Sequence, residues 1–110
     1  IDDMGFEVLH VPQHRGAKGF GPIAALASAA EISSRLRLGS LVLDNESTHP
    51  ALLAKDLATI DLLSEGRLEV GIGAGWLPAD HEPLGQEFPP AGERIDRAWH
   101  RARAAEALDV

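Results

Sequence analysis

The sequence predicts an α/β chain built on a parallel sheet. Three observations carry that expectation. Strand-like and helix-like segments alternate strictly, in the order strand, helix, strand, helix, strand, short irregular segment, helix. The connections are long enough for right-handed crossovers, which join parallel strands. The third strand, "RLEVGIGAG", is apolar nearly throughout, as a strand covered on both faces must be.

Each element has a local reason. "FEVLHVP" (residues 6–12) alternates, is rich in β-formers and closes at Pro12, so it reads as a short strand. A loop with three glycines, "QHRGAKGFG", leads to "PIAALASAAEISSR", where Pro22 suits a first helical position and alanine dominates the body. "LRLGSLVLD" (residues 36–44) is the second strand, with Gly39 in its interior. "NESTHP" supplies turn and capping residues before a second helix, "ALLAKDLATIDLLSEG". There Leu53, Leu57, Ile60 and either Leu63 or Ser64 recur at helical spacing, and Gly66 stands where a C-terminal cap belongs. After the third strand, "AGERIDRAWHRARAAEAL" is a charged helix with Ile95, Trp99 and Ala102 on one face.

The chain has 110 residues, enough for one modest core, and a formal net charge of -7. That charge leaves no electrostatic footprint for nucleic acid or an anionic membrane surface. There is no cysteine, which excludes disulfides and thiolate sites and fits a reducing cytoplasm. No apolar run approaches a membrane span. The chain opens in mid-pattern without methionine, and the expectation is a piece of something longer.

Gly71, Gly73 and Gly75 stand at alternate positions at the end of the third strand, where glycine packs nothing and costs backbone entropy. A dinucleotide fingerprint, G-x-G-x-x-G, fails on spacing: its last position would be Trp76 or Pro78. No Gly-Lys-Ser/Thr of a P-loop follows. The alternative is a barrel strand whose C-terminal end lines a site. The three strand ends carry Gln13 and His14, then Asp44 and Asn45, then Gly73, Gly75 and Trp76. Polar groups and an aromatic ring thus converge at one end, and small residues there give a flat heterocycle clearance.

"GFEVLHVPQH", "RLRLGSLVLDNESTHPALLAKDLATIDLLSEGRLEVGIGAGW" and "HEPLG" together resemble the luciferase-like monooxygenase superfamily, most of all its actinobacterial oxidoreductases that use the deazaflavin coenzyme F420. The resemblance covers nearly the whole chain and is most specific from Arg35 to Trp76. It implies a partial (β/α)8 TIM barrel, with residues 1–110 supplying about strands two to four. It implies a hydride-transferring oxidoreductase or monooxygenase using F420, with FMN as the alternative. The partner is a small-molecule substrate, and full-length members often pair as homodimers.

Carried over residue by residue, the resemblance makes His14 the proton-transfer residue. Members usually have Asp-His there, and this chain has Gln13-His14, so the carboxylate is replaced. The other reading of His14 is a surface histidine at a strand end. Members carry a bulge with a non-proline cis peptide under the ring, which falls at Leu41-Val42. Gln13, Leu41, Val42, Asp44, Gly73 and Gly75 then form the cofactor bed. Asp44 and Asn45 equally suit turn chemistry. Where the family's sugar-phosphate dehydrogenases have a glutamate this chain has Trp76, which argues against a sugar phosphate. Trp76 becomes either an apolar substrate wall or core packing.

His49 precedes a helix-opening proline, His81 and His100 fall in polar surroundings, and no two of them pair with acids at metal-ligand spacing, so no metal is expected. Two rival readings stay open: a truncated, non-catalytic barrel fragment with open sheet edges, and a small Rossmann-like nucleotide binder.

Overall fold

Strand β1 (Val8–Val11) forms where β-rich residues alternate and ends at Pro12, which has no N–H to continue a ladder. It pairs in parallel with β2 (Arg37–Ser40), Val8 opposite Arg37 and Val11 opposite Ser40. The computed structural model describes residues 2–14, 19–75 and 77–107. β2 continues in parallel to β4 (Leu68–Glu69), and β3 (Leu43–Asp44) pairs in parallel with β5 (Ile72–Gly73). Every ladder is parallel and the spatial order follows the chain. That is the arrangement of consecutive units of a (β/α)8 barrel, without the order reversal of a doubly wound sheet.

Two of the expected strands are each broken in two. Residues 36–44 become β2 and β3, and residues 67–75 become β4 and β5. Ser40 explains the break. Its hydroxyl accepts from the Gly71 N–H at 2.9 Å and donates to the Gly71 carbonyl at 2.9 Å. One side chain thus occupies both backbone groups of its neighbour. Regular pairing resumes when the Leu43 N–H reaches the Gly71 carbonyl at 2.8 Å. Between Ser40 and Leu43 lies the cis peptide Leu41-Val42, at the bond the resemblance implied.

Helix α1 (Pro22–Ile32) starts at its proline and stops short of the expected residue 35. Beyond it, the Ser34, Arg35 and Leu36 N–H groups donate to the Asp2 carboxylate, at 2.7, 3.3 and 3.1 Å. Helix α2 (Pro50–Leu63) is capped by His49, whose Nδ1 accepts from the Ala51 N–H at 3.2 Å. It ends in a left-handed Gly66 (φ +81°), whose N–H returns to the Asp61 carbonyl at 2.9 Å. Of the two candidates for its last apolar-face position, Ser64 is buried and Leu63 is exposed.

The core sits between these helices and one face of the sheet. Leu9, Leu38 and Leu68 share a register row, and Leu26, Ala29 and Ala30 of α1 and Ile60 of α2 pack with them. Leu38 and Leu26 are fully buried, each burial contributing about 1.5–3 kcal/mol. On the opposite face the His10 ring covers Gly39, its Cδ2 2.7 Å from where a Cβ would stand.

Helix α3 (Ala91–Ala107) does not dock through its apolar stripe. Ile95 and Trp99 are exposed. Arginines hold it instead: Arg94 Nε donates to the Gly75 carbonyl at 3.1 Å, and Arg101 donates to the Asn45 carbonyl. These carbonyls lie just past β5 and β3, so α3 is tied to the rim where the strands end.

Candidate functional site

At the C-terminal rim the end of β1 meets the end of β3. The Gln13 Oε1 accepts from the Asp44 N–H at 2.8 Å, which locks the two strand ends together. Asp44, although buried, is engaged in its own turn. Its carboxylate accepts from the Glu46 N–H at 3.1 Å and from the Ser47 hydroxyl at 3.0 Å. Asn45 is also buried, and its amide donates to Glu46 at 3.1 Å. Asp44 therefore carries the turn chemistry weighed for it, while the Asn45 side chain bonds only to its neighbour's side chain among the described residues.

His14 stands beside Asp80. Its Nδ1 lies 3.0 Å from Asp80 Oδ2, with the His14 side chain 35% exposed and that of Asp80 only 8%. Sequence reasoning passed over Asp80, which lies 66 residues downstream in a 3₁₀ turn, Pro78–Asp80. Its one local signal is a carboxylate in the segment following the third strand's glycines.

That turn is built rigidly. The Asp80 and His81 N–H groups bond back to Leu77 and Pro78, each at 3.0 Å. A second 3₁₀ turn, Glu82–Leu84, closes on Gly85 in the left-handed region (φ +63°). His81, expected in polar surroundings, is instead buried, and among the described residues neither ring nitrogen has a hydrogen-bond partner. Its ring meets Phe88 edge-on at 5.0 Å, and the Arg94 guanidinium lies 4.0 Å over the Phe88 ring.

The glycines have packing reasons. A Cβ on Gly71 would lie 2.4 Å from the Ser40 carbonyl oxygen, and one on Gly73 would lie 2.5 Å from Val42 Cγ2. Gly73 therefore makes room for Val42 first of all. Gly75, at φ +77°, lies between Asp44 and His81: a Cβ there would be 3.2 Å from Asp44 Oδ1 and 3.4 Å from His81 Cε1. With Val42 seated against Gly73, Leu41 stays 61% exposed and Val42 38% exposed. Together they make an apolar step at the rim, next to the locked ends of β1 and β3. Trp76 lies outside the described residues.

A cavity of about 390 Å³ opens at the far end of the strands around Ala30, Ser33, Leu63 and Arg67, away from this chemistry. Among the described residues no group of three or more His, Asp or Glu is placed to hold a metal ion. No helix there is long and apolar enough to cross a membrane.

The model of one protein family, the luciferase-like monooxygenases, matches residues 1–110. The chain belongs to that family. A 4-hydroxyprotoasukamycin monooxygenase of Streptomyces nodosus subsp. asukaensis is 39% identical over 114 residues, covering all of this chain and 28% of that protein. Among solved structures, monooxygenase RslO1 of Streptomyces bottropensis is 31% identical with a TM-score of 0.85, covering 97% of this chain and 33% of that one. The coenzyme F420-dependent tetrahydromethanopterin reductase of Methanopyrus kandleri is 32% identical with a TM-score of 0.69, covering 80% and 24%. The chain thus spans about a quarter to a third of these luciferase-like relatives. Its parallel units are a segment of their TIM barrel.

Proposed function

We propose that this chain is part of a luciferase-like oxidoreductase that transfers a hydride between a deazaflavin or flavin ring and a small organic substrate, with His14 moving the accompanying proton. F420 is the preferred cofactor and FMN the alternative. The observation that carries the reading is the His14–Asp80 pair past the strand ends, taken with the exposed Leu41-Val42 step.

The residues present fit a flat ring. Leu41 and Val42 offer an apolar surface braced from behind by Gly73, and the Gln13–Asp44 lock keeps the polar rim beside it in place. When bound, the ring supplies the hydride chemistry; the protein orients it and excludes water. His14 is suited to its task because a neutral imidazole both accepts and donates protons near physiological pH. Trp76 stands in the sequence where the family's sugar-phosphate dehydrogenases have a glutamate, which disfavours a sugar phosphate.

The test uses the full-length protein that contains this chain. Fluorescence titration with F420 and with FMN should give saturable micromolar binding of one of them. Leu41→Asp should weaken that binding by about tenfold or more, because it sets a charge against an apolar ring face. His14→Gln should leave binding within about twofold and slow hydride transfer about 10²- to 10⁴-fold. Binding of neither cofactor would refute the reading. Residues 1–110 alone should bind weakly at most, since ring sites in barrels draw on more strand ends than three.

A further inference from the structure

We propose that Asp80 is the positioning residue for His14: its carboxylate fixes the imidazole in the Nδ1–H tautomer, so that Nε2 is the atom that accepts or delivers the proton. This rests on the functional reading of His14 given above and extends it to a second residue on a different segment.

Three observations carry it. The first is chemical. An ionised carboxylate only accepts hydrogen bonds, so the His14 nitrogen 3.0 Å from Asp80 Oδ2 must carry its hydrogen there. In the neutral ring the lone pair then belongs to Nε2. When Nε2 takes up a proton the ring becomes an imidazolium, and the adjacent carboxylate stabilises that charge.

The second is the disposition of the other rim groups. Gln13, immediately before His14, spends its side-chain carbonyl on the Asp44 N–H. The Asp44 carboxylate accepts from Glu46 and Ser47. Among the described residues, Asp80 is the carboxylate within ion-pair distance of His14. The carboxylate that the resemblance leads one to expect at position 13 is thus supplied from across the rim.

The third is rigidity. Asp80 is 8% exposed, and its turn is backed by the buried His81, which rests on Phe88, which in turn is covered by Arg94. Arg94 also holds the Gly75 carbonyl, and so ties the turn to the end of β5. A side chain on such a base can hold an imidazole in one orientation, as a partner of a reacting histidine must.

The experiment reads the tautomer directly. The full-length protein is labelled with ¹⁵N-histidine, and the His14 ring is identified by its loss in His14→Gln. The ring-nitrogen shifts of the neutral form are then compared in the wild type, Asp80→Asn and Asp80→Glu, without cofactor. The wild type should show Nδ1–H. Asp80→Asn should shift the population toward Nε2–H, because its amide can donate to Nδ1, and Asp80→Glu should restore Nδ1–H at least in part. In parallel, Asp80→Asn should slow hydride transfer about ten- to a hundredfold while leaving cofactor affinity within about twofold. A neutral wild-type His14 found as Nε2–H would overturn the proposal whatever the variants do. An unchanged tautomer in a folded Asp80→Asn would overturn it as well. Absence of cofactor binding in the wild type would instead refute the functional reading, and the tautomer result would stand apart from it.

Discussion

Gly73 can be tested as a packing device by adding one methyl group. An alanine Cβ there would lie 2.5 Å from Val42 Cγ2 and 3.7 Å from Val42 Cβ. Carbon atoms rest at about 3.5–4.0 Å, so the valine must retreat by about 1 Å. Valine is stiff at χ1 and cannot absorb that by a small rotation. Forced repacking of this kind costs about 1–3 kcal/mol. Val42→Ala alone loses two methyl groups from a side chain 38% exposed, which at about 0.8 kcal/mol per fully buried carbon comes to about 1 kcal/mol. In the double variant the new Cβ occupies the space vacated by Cγ2. Its stability should match Val42→Ala alone, giving a coupling of about 1–3 kcal/mol. Gly71→Ala is the control. Its Cβ meets the Ser40 carbonyl oxygen at 2.4 Å, a backbone atom that Val42→Ala does not move, and Val42 Cγ1 at only 3.1 Å, so Val42→Ala should rescue it far less than Gly73→Ala. Urea denaturation of the full-length protein and its variants measures all four terms. Additivity of Gly73→Ala and Val42→Ala within about 0.5 kcal/mol would refute the packing account.

Two further expectations concern the opposite end of the strands. Arg67 donates to the carbonyls of Ala30, Ser33, Leu36 and Ser64 and to the Ser33 hydroxyl, at 2.7–3.0 Å. Arg67→Met should cost about 2–4 kcal/mol in urea denaturation, since it orphans several carbonyls, and should leave cofactor affinity unchanged. Arg67→Lys should recover only a small part, because an ammonium cannot span that fork of acceptors. The N–H groups of Ser34, Arg35 and Leu36 and the Ser34 hydroxyl hold the Asp2 carboxyl down at about 2, from an ordinary 3.8, with the Ser34 N–H the largest cause. A depressed carboxyl stabilises the fold above its unfolded value and loses that contribution as pH falls. The urea midpoint of the wild type should therefore exceed that of Asp2→Asn at pH 7, and the gap should close between about pH 4 and pH 2. A gap independent of pH would contradict the assignment.

The fold was legible where a residue's local chemistry and its packing agree. Pro22 and Pro50 begin helices, Gly66 ends one, and Leu57 and Ile60 recur on the buried stripe of α2. Such signals act over a few residues and are visible without knowing what lies across the fold. The break after Ser40 was expected only through the resemblance, as a bulge at Leu41-Val42; the matching break at Gly71 was not legible, because it depends on one hydroxyl, Ser40, reaching both backbone groups of Gly71 between β4 and β5. The docking of α3 misled for the opposite reason. Ile95 and Trp99 make an apolar stripe, yet Arg94 and Arg101 find carbonyls at the ends of β5 and β3 and hold the helix by hydrogen bonds.

The site shows the same division at closer range. His14 was visible because its position at a strand end is a property of its own segment. Its partner was not, because the spacing of 66 residues between His14 and Asp80 means nothing until parallel units stack in chain order and bring their C-terminal ends to one rim. Gln13 looked like a lost carboxylate, and by itself it is. Its amide carbonyl does different work, fastening β1 to β3 through the Asp44 N–H. An aspartate at position 13 would be one methylene shorter and would carry a charge, so it could not fill that place unchanged. In the proposed site the two positions divide the work: Gln13 serves as the strand lock, and the carboxylate beside His14 is Asp80, in the turn after β5. Restoring the familiar order with Gln13→Asp should accordingly disturb the lock without improving His14, unless Asp80 is removed at the same time.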